Sequence, residues 1–130
     1  MIIVLDANVL VSALLKSSGN PAAILRLILN SRIQIAVDMR ILTEYKEVLL
    51  RPRFRFSSEQ VEPLLDFLEN EGLHSSGVPL PKGLPDPSDE TFLEVALSSH
   101  ADALVTGNKR HFPTSASAGV RVLTPSEFLD

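Results

Sequence analysis

Residues 2–14 read IIVLDANVLVSAL, and the order of residue types in that stretch decides the fold. Ile2 to Leu5 are apolar without a break, the pattern of a strand covered on both faces in a parallel sheet. Asp6 follows at its carboxyl end. Val9 to Leu15 then read as a helix, which Ser17-Ser18-Gly19-Asn20-Pro21 breaks. A buried strand that ends on a carboxylate and runs into a helix is the start of an α/β layer structure.

The same alternation continues outward. Pro21 opens a second helix in which Ile24, Leu25, Ile28 and Leu29 recur at helical spacing. Ile33 to Val37 is a second apolar strand, ending on Asp38. A helix over about 40–50 carries Ile41, Tyr45, Val48 and Leu49 as its stripe, and Pro52 ends it. The next helix, 57–71, turns Val61, Leu64, Leu65 and Leu68 inward, with Ser57 or Ser58 as its cap and Glu59 and Gln60 favourable in its first turn. A short strand is expected within 73–78, then a Pro- and Gly-rich loop over 77–87. A helix over 88–99 carries Phe92, Leu93, Val95, Ala96 and Leu97. Strands at 103–105 and 120–123 flank the turn Thr106-Gly107-Asn108, and 126–130 reads as a tail. With no repeat and no linker, the expectation is one domain over 1–130: a three-layer α/β structure with a central parallel sheet of about four to five strands flanked by helices.

Composition narrows the chemistry. The chain has 130 residues, enough to bury a core unaided, and its 45% hydrophobic content includes only 5% aromatics, so that core is aliphatic. Cysteine is absent, which excludes disulfides, thiolate zinc sites and cysteine nucleophiles and fits a reducing compartment. Twelve basic against 16 acidic residues give a net charge of −4, which argues against a broad basic surface for gripping nucleic acid. An enzyme that reaches a phosphate through bound cations escapes that objection. The apolar N-terminus lacks a basic leader and is interrupted by Asp6 and Asn8, and no stretch is long enough for a membrane span. A cytoplasmic protein is expected.

Ligands of an open parallel sheet bind outside the carboxyl ends of its strands. Asp6 ends one strand and Thr106 to Asn108 ends another, so if these strands are neighbours, their ends share a cleft. Glu44 flanks the apolar stripe of its helix, and Asp89 lies in the first turn of another. Asp6, Glu44 and Asp89 gathered together would repel one another and push at least one carboxylate to take a proton. A divalent cation resolves that, and hard oxygen ligands suit Mg²⁺ or Mn²⁺. Such a cation supports in-line phosphodiester cleavage. With no Cys and only three scattered His, zinc fits poorly.

Four segments in order, IIVLDANVLVSAL at 2–14, LTEYKEVLLRPRF at 42–54, DPSDETFLEVAL at 86–97 and ALVTGNKRHF at 103–112, resemble the PIN-domain nucleases, specifically the VapC-like toxins of toxin–antitoxin systems. The resemblance spans nearly the whole chain. It implies a Mg²⁺- or Mn²⁺-dependent endoribonuclease in which Asp6, Glu44 and Asp89 are the acidic metal-site residues, with Asn8 and Thr106 as polar support. It also implies a small antitoxin protein as partner and a homodimer. The fourth acidic position of the family falls on Asn108 here, an amide that can ligate but adds no charge.

Plainer roles compete for several of these residues. Asp6 can cap the following helix, and Glu44 can be a solvated helical glutamate. Asp86 followed by Pro87 reads as an N-cap, with Asp89 closing a capping box. Lys109, beside Arg110 and His111, either contacts phosphate or is a solvated loop residue. Arg51, Arg53 and Arg55 form a second basic group that suits an RNA backbone or an acidic partner equally. Two rival functions stay open: a PIN fold with weakened catalysis that serves as a binding module, and a receiver-like signalling domain with Asp6 as phosphoacceptor, for which Asp6 comes too early.

Overall fold

Ile3, Val4 and Leu5 are fully shielded from solvent because their strand, β1 (Ile2–Leu5), lies at the middle of the sheet. The structure, a computed structural model, describes residues 1–76, 79–80 and 83–130. Along the chain follow α1 (Ala7–Leu15), α2 (Asn20–Leu29), β2 (Gln34–Val37), α3 (Met39–Leu49), α4 (Ser58–Glu71), β3 (Leu73–His74), α5 (Glu90–Ser98), β4 (Ala103–Val105), β5 (Val122–Leu123) and α6 (Pro125–Leu129). The five strands are parallel in the order β3-β2-β1-β4-β5. Helix α5 packs across β1, β2 and β4, α4 packs on β2, and α6 packs on β4 and β5. The expected α/β architecture with a helix-flanked parallel sheet is what forms.

Strand order has a functional consequence. The chain leaves β1 toward β2 on one side, and β4 later returns on the other, so the carboxyl ends of β1 and β4 border a topological switch point, where such sheets open a crevice. The receiver fold has the order 2-1-3-4-5. The order here is different, which removes the signalling-domain alternative.

Helix α3 is held across this end of the sheet by a buried polar contact. The Tyr45 hydroxyl donates to the Leu5 carbonyl at 2.5 Å, and the ring, fully buried, packs against Phe92 with centroids 6.2 Å apart. Asp38 caps α3 by accepting from the Ile41 amide at 2.9 Å and is tied to Arg40, which also pairs with Glu94. A carboxylate at the end of β2 is thus consumed in structure, whereas the one at the end of β1 is not.

Several boundaries differ from expectation. Helix α1 starts at Ala7, two residues before the first periodic apolar position, directly after the extended Asp6 that ends the strand run. A 3-10 turn, Pro87–Asp89, precedes α5, with Asp86 capping it through the Ser88 amide at 3.0 Å. Strand β5 begins only at Val122. The expected tail at 126–130 is instead helix α6, fixed by a capping box between Thr124 and Glu127; five residues are too few for periodicity to reveal. Of the segment read as strand and loop over 73–87, Gly77, Val78, Pro81 and Lys82 lie outside the described residues.

Gly72 makes the turn from α4 into β3 possible. Its amide donates to Leu68 at 2.9 Å, and a Cβ there would stand 2.4 Å from the Leu68 carbonyl oxygen and 3.2 Å from that of Ile35. Both obstacles are backbone, so Gly72→Ala is expected to cost ~1–3 kcal/mol through forced displacement of α4 from β2. Urea denaturation should show a lower midpoint with an unchanged m value.

Candidate active site

The adjacent ends of β1 and β4 bring Asp6 and Thr106 together. The Asp6 amide donates to the Val105 carbonyl at 2.9 Å, and the Thr106 hydroxyl donates to Asp6 Oδ2 at 2.8 Å. Thr106 in turn accepts from the Asn108 amide at 3.1 Å, while Asn8 Oδ1 accepts from the Gly107 amide at 3.1 Å. The turn after β4 is therefore stitched to the start of α1, and both Asp6 and Thr106 are buried. Although Asp6 occupies the N-cap position of α1, its side chain makes no capping hydrogen bond, so capping does not explain it.

Asp89 is buried on the facing side, at the junction of the 3-10 turn with α5, and is only 8% exposed. Its side chain does not close a capping box with Asp86; Oδ2 is buried and has no hydrogen-bond donor. His111 Nδ1 lies 3.3 Å from that oxygen, near enough for charge attraction but not aligned as a hydrogen bond. The His111 ring is oriented from its other side. Asn108 Oδ1 accepts from the Arg110 amide at 3.3 Å, which turns the Asn108 NH₂ toward His111 Nε2 at 3.1 Å and leaves the ring proton on Nδ1 in neutral His111.

Electrostatics join these acids into one group. Burial raises the Asp6 carboxyl above its ordinary range, against the opposing effect of the Thr106 hydrogen bond. Burial first, and then the Asp6 charge, push Asp89 up to about 6, with His111 pulling the other way. Glu44, half-buried on α3, is also raised, by desolvation and by Glu47, with Asp6 and Asp86 adding to it and Arg51 opposing. Each of these carboxylates makes ionisation of another harder, a situation that a cation relieves.

Whether the residues suit such an ion can be tested on the donor set. All candidate donors are oxygen, and one buried carboxylate oxygen, Asp89 Oδ2, has no hydrogen-bond partner. Among the described residues, no three His, Asp or Glu side chains stand close enough to hold an ion between them. Asp6, Glu44 and Asp89 therefore do not form a closed cage. An open arrangement fits Mg²⁺ or Mn²⁺, since Mg²⁺ commonly rests on one or two carboxylates and keeps the remaining positions for water and substrate phosphate.

The other expected site residues divide. Asn8, Thr106 and Asn108 lie at the pocket. Lys109 points away from it, with its ammonium 3.1 Å and 3.3 Å from the two Glu127 oxygens of α6. Nothing in the sequence marks His111 as a neighbour of Asp89 beyond its place three residues after Asn108, across one 3-10 turn. Asp86 remains exposed, contributing charge at the rim.

The family profile described as "PIN domain" matches residues 2–110. Among solved structures, the chain is similar to the crystal structure of VapBC2 from Rickettsia felis bound to a DNA fragment from their promoter, with 18% identity, a TM-score of 0.62, and coverage of 95% of this chain and 98% of that one. It is similar in the same way to FitAcB from Neisseria gonorrhoeae, at 16% identity and a TM-score of 0.62, again over 95% and 98% of the two chains. No curated protein sequence matches significantly. The likeness in fold covers essentially all of the domain, the profile covers every segment that builds the acidic pocket, and the chain belongs to the PIN domain family, whose members are generally nucleases.

Proposed function

We propose that this protein is a Mg²⁺- or Mn²⁺-dependent endoribonuclease and the toxin of a toxin–antitoxin pair. The observation that carries this reading is the buried, donorless Asp89 carboxylate oxygen, whose ionisation the Asp6 charge at the end of β1 opposes. A divalent cation bound there would lower the pKa of a coordinated water and offset charge on the phosphodiester. Asp6 and Asp89 would hold it, with Glu44 at the margin to orient water.

The chain's own residues define the remaining work. Thr106 opposes the rise that burial imposes on the Asp6 carboxyl and fixes its Oδ2. Asn8 and the Asn108 amide hold the β4 turn in register with α1, so the two walls of the cleft do not drift apart. His111 lies beside Asp89, with Nδ1 3.3 Å from Oδ2, at the edge of the cleft. Thr106→Val removes a hydrogen bond to an ionised group and an acceptor for the Asn108 amide. Cleavage is expected to fall ~10-fold or more, the equivalent of ~1.5–3 kcal/mol, while the circular dichroism spectrum stays unchanged.

The direct test incubates purified protein with unstructured RNA in Mn²⁺, Mg²⁺ or EDTA. Internal cleavage with either metal and none in EDTA is expected. No cleavage with either, together with no Mn²⁺-induced rise in melting temperature, would overturn the reading. One observation favours a second reading, a PIN fold with weakened catalysis that acts as a binding module: Asn108 supplies no charge, and its oxygen is engaged by the Arg110 amide. Mn²⁺ binding without cleavage would select it. The antitoxin partner and the homodimer follow from the VapC-like resemblance, and the likeness to VapBC2 supports the former. Size-exclusion chromatography of the protein alone, and after co-expression with any small reading frame found immediately upstream of its gene, tests both.

A further inference from the structure

The sequence Arg51-Pro52-Arg53-Phe54-Arg55-Phe56 is the most basic short stretch of an otherwise acidic chain, and no role described above uses it. Arg51 extends α3 by one more bond, donating its amide to Val48 at 3.2 Å, and Pro52–Phe54 form a 3-10 turn. Arg55 closes that turn in the left-handed region, at φ 59°, with its amide on the Pro52 carbonyl at 3.1 Å. A bulky residue adopts that conformation only where its surroundings hold it. Here the anchor is the pair Phe54 and Phe56, stacked with centroids 6.1 Å apart and half-buried against the core.

This anchoring presents the arginines outward. Arg51, Arg53 and Arg55 are all exposed, and among the described residues none has an ion-pair partner, whereas Arg40, Lys46 and Lys109 do. Arg53 sits over the Phe54 ring with Cζ 4.8 Å from its centroid, which holds this exposed guanidinium beside an aromatic face. Arg51 follows the end of α3, seven residues after Glu44, and is near enough that its charge opposes the rise of the Glu44 carboxyl. Since α3 is tied to the carboxyl end of β1 through Tyr45, the turn that follows it starts, at Arg51, beside the acidic pocket.

We propose that Arg51–Phe56 is a docking strip for the single-stranded RNA that enters the acidic pocket, in which Arg51 and Arg55 hold backbone phosphates and Arg53, backed by Phe54, stacks on a base. The proposal rests on the ribonuclease reading and adds to it where, and by what contacts, the substrate is held. Planar guanidinium stacking on unpaired bases beside phosphate contacts is the chemistry by which proteins select single strands. It also explains how a chain with net charge −4 holds a polyanion: through a local strip rather than a basic face.

Fluorescence anisotropy with labelled oligouridine, on an Asp6→Asn background that prevents cleavage, tests this. Removing two phosphate-facing charges and the stacking guanidinium in Arg51→Gln/Arg53→Gln/Arg55→Gln should lower affinity at least ~10-fold at ~50 mM salt and reduce the slope of log K against log[salt] by ~1–2. The control Arg26→Gln/Arg32→Gln/Arg121→Gln should leave both nearly unchanged. Arg53→Lys keeps the charge and loses the plane, so affinity should fall several-fold with the slope intact; this variant also decides the matter if the triple variant does not fold. Equal effects of the two triple variants, or none, would overturn the strip. So would polyglutamate binding as tightly as oligouridine, which would assign the arginines to an acidic protein segment. Wild-type cleavage is scored separately: cleavage with strip-independent binding sinks the strip alone, strip-dependent binding without cleavage sinks the nuclease reading alone, and absence of RNA binding sinks both.

Discussion

Asp6→Asn is expected to reduce RNA cleavage by ~10²–10³-fold or more while leaving the fold intact. The amide occupies nearly the same volume and retains an oxygen that can accept from Thr106, so the β1–β4 junction keeps its hydrogen bond. What disappears is the charge that would bind the cation, and loss of one preorganised electrostatic group of this kind typically costs that factor. Stability without metal should move in the opposite direction. Burial raises the Asp6 carboxyl, so its ionisation opposes folding as pH climbs through its folded value, and the neutral amide escapes that penalty. A variant that cleaves like wild type, from preparations purified identically, would place the active site elsewhere.

Asp89→Asn separates the electrostatic cost of the pocket from its use. The wild-type carboxyl titrates at about 6, above the ordinary 3.8. A carboxyl raised in this way favours the folded state fully below ~4 and loses that contribution as pH rises through about 6. At pH 7.5 without metal, Asp89→Asn should therefore be the more stable protein. The shift corresponds to ~1–2 kcal/mol once screening by water at the cleft mouth is allowed for, or a melting temperature higher by ~3–8 °C. The advantage should fade between pH 6 and pH 4, where wild type has already taken up its proton. Adding Mn²⁺ at pH 7.5 should reverse the ranking, because ligand at 100 times its Kd stabilises the binding-competent wild type by ~2.7 kcal/mol. Below pH 6 the proton competes for the same oxygen and the Mn²⁺ effect should weaken. Superimposable melting curves for the two proteins, across pH and with Mn²⁺, would mean that Asp89 is neither strained nor a ligand.

These two results would also show how the acidic pocket is kept without its ion. Asp6 is partly satisfied by Thr106, whereas Asp89 Oδ2 has only the poorly aligned His111 contact, so the instability is concentrated on one carboxylate. Asp38, at the end of the neighbouring strand, carries no such burden because it is spent on the cap of α3 and on Arg40. Two aspartates that look alike in the chain, each ending an apolar strand, are thus given opposite tasks by what surrounds them.

Much was legible from local pattern. A strand buried on both faces must be uniformly apolar, so β1, β2 and β4 announce themselves, and helices α2, α3 and α4 show the periodicity of a one-sided burial. The carboxylate ending β1, the caps at Ser57 and Asp86, and the stop at Pro52 follow from chemistry that acts within a few residues. Long-range geometry had no such signature. That β4 pairs with β1, placing Thr106 on Asp6 one hundred residues away, depends on sheet order. That His111 meets Asp89, that Lys109 turns to Glu127 on a helix too short to predict, and that no three acids among the described residues close into a cage, depend on how separate elements pack. Periodicity records which face of an element avoids water; it carries no information about which distant side chain will share that dry space.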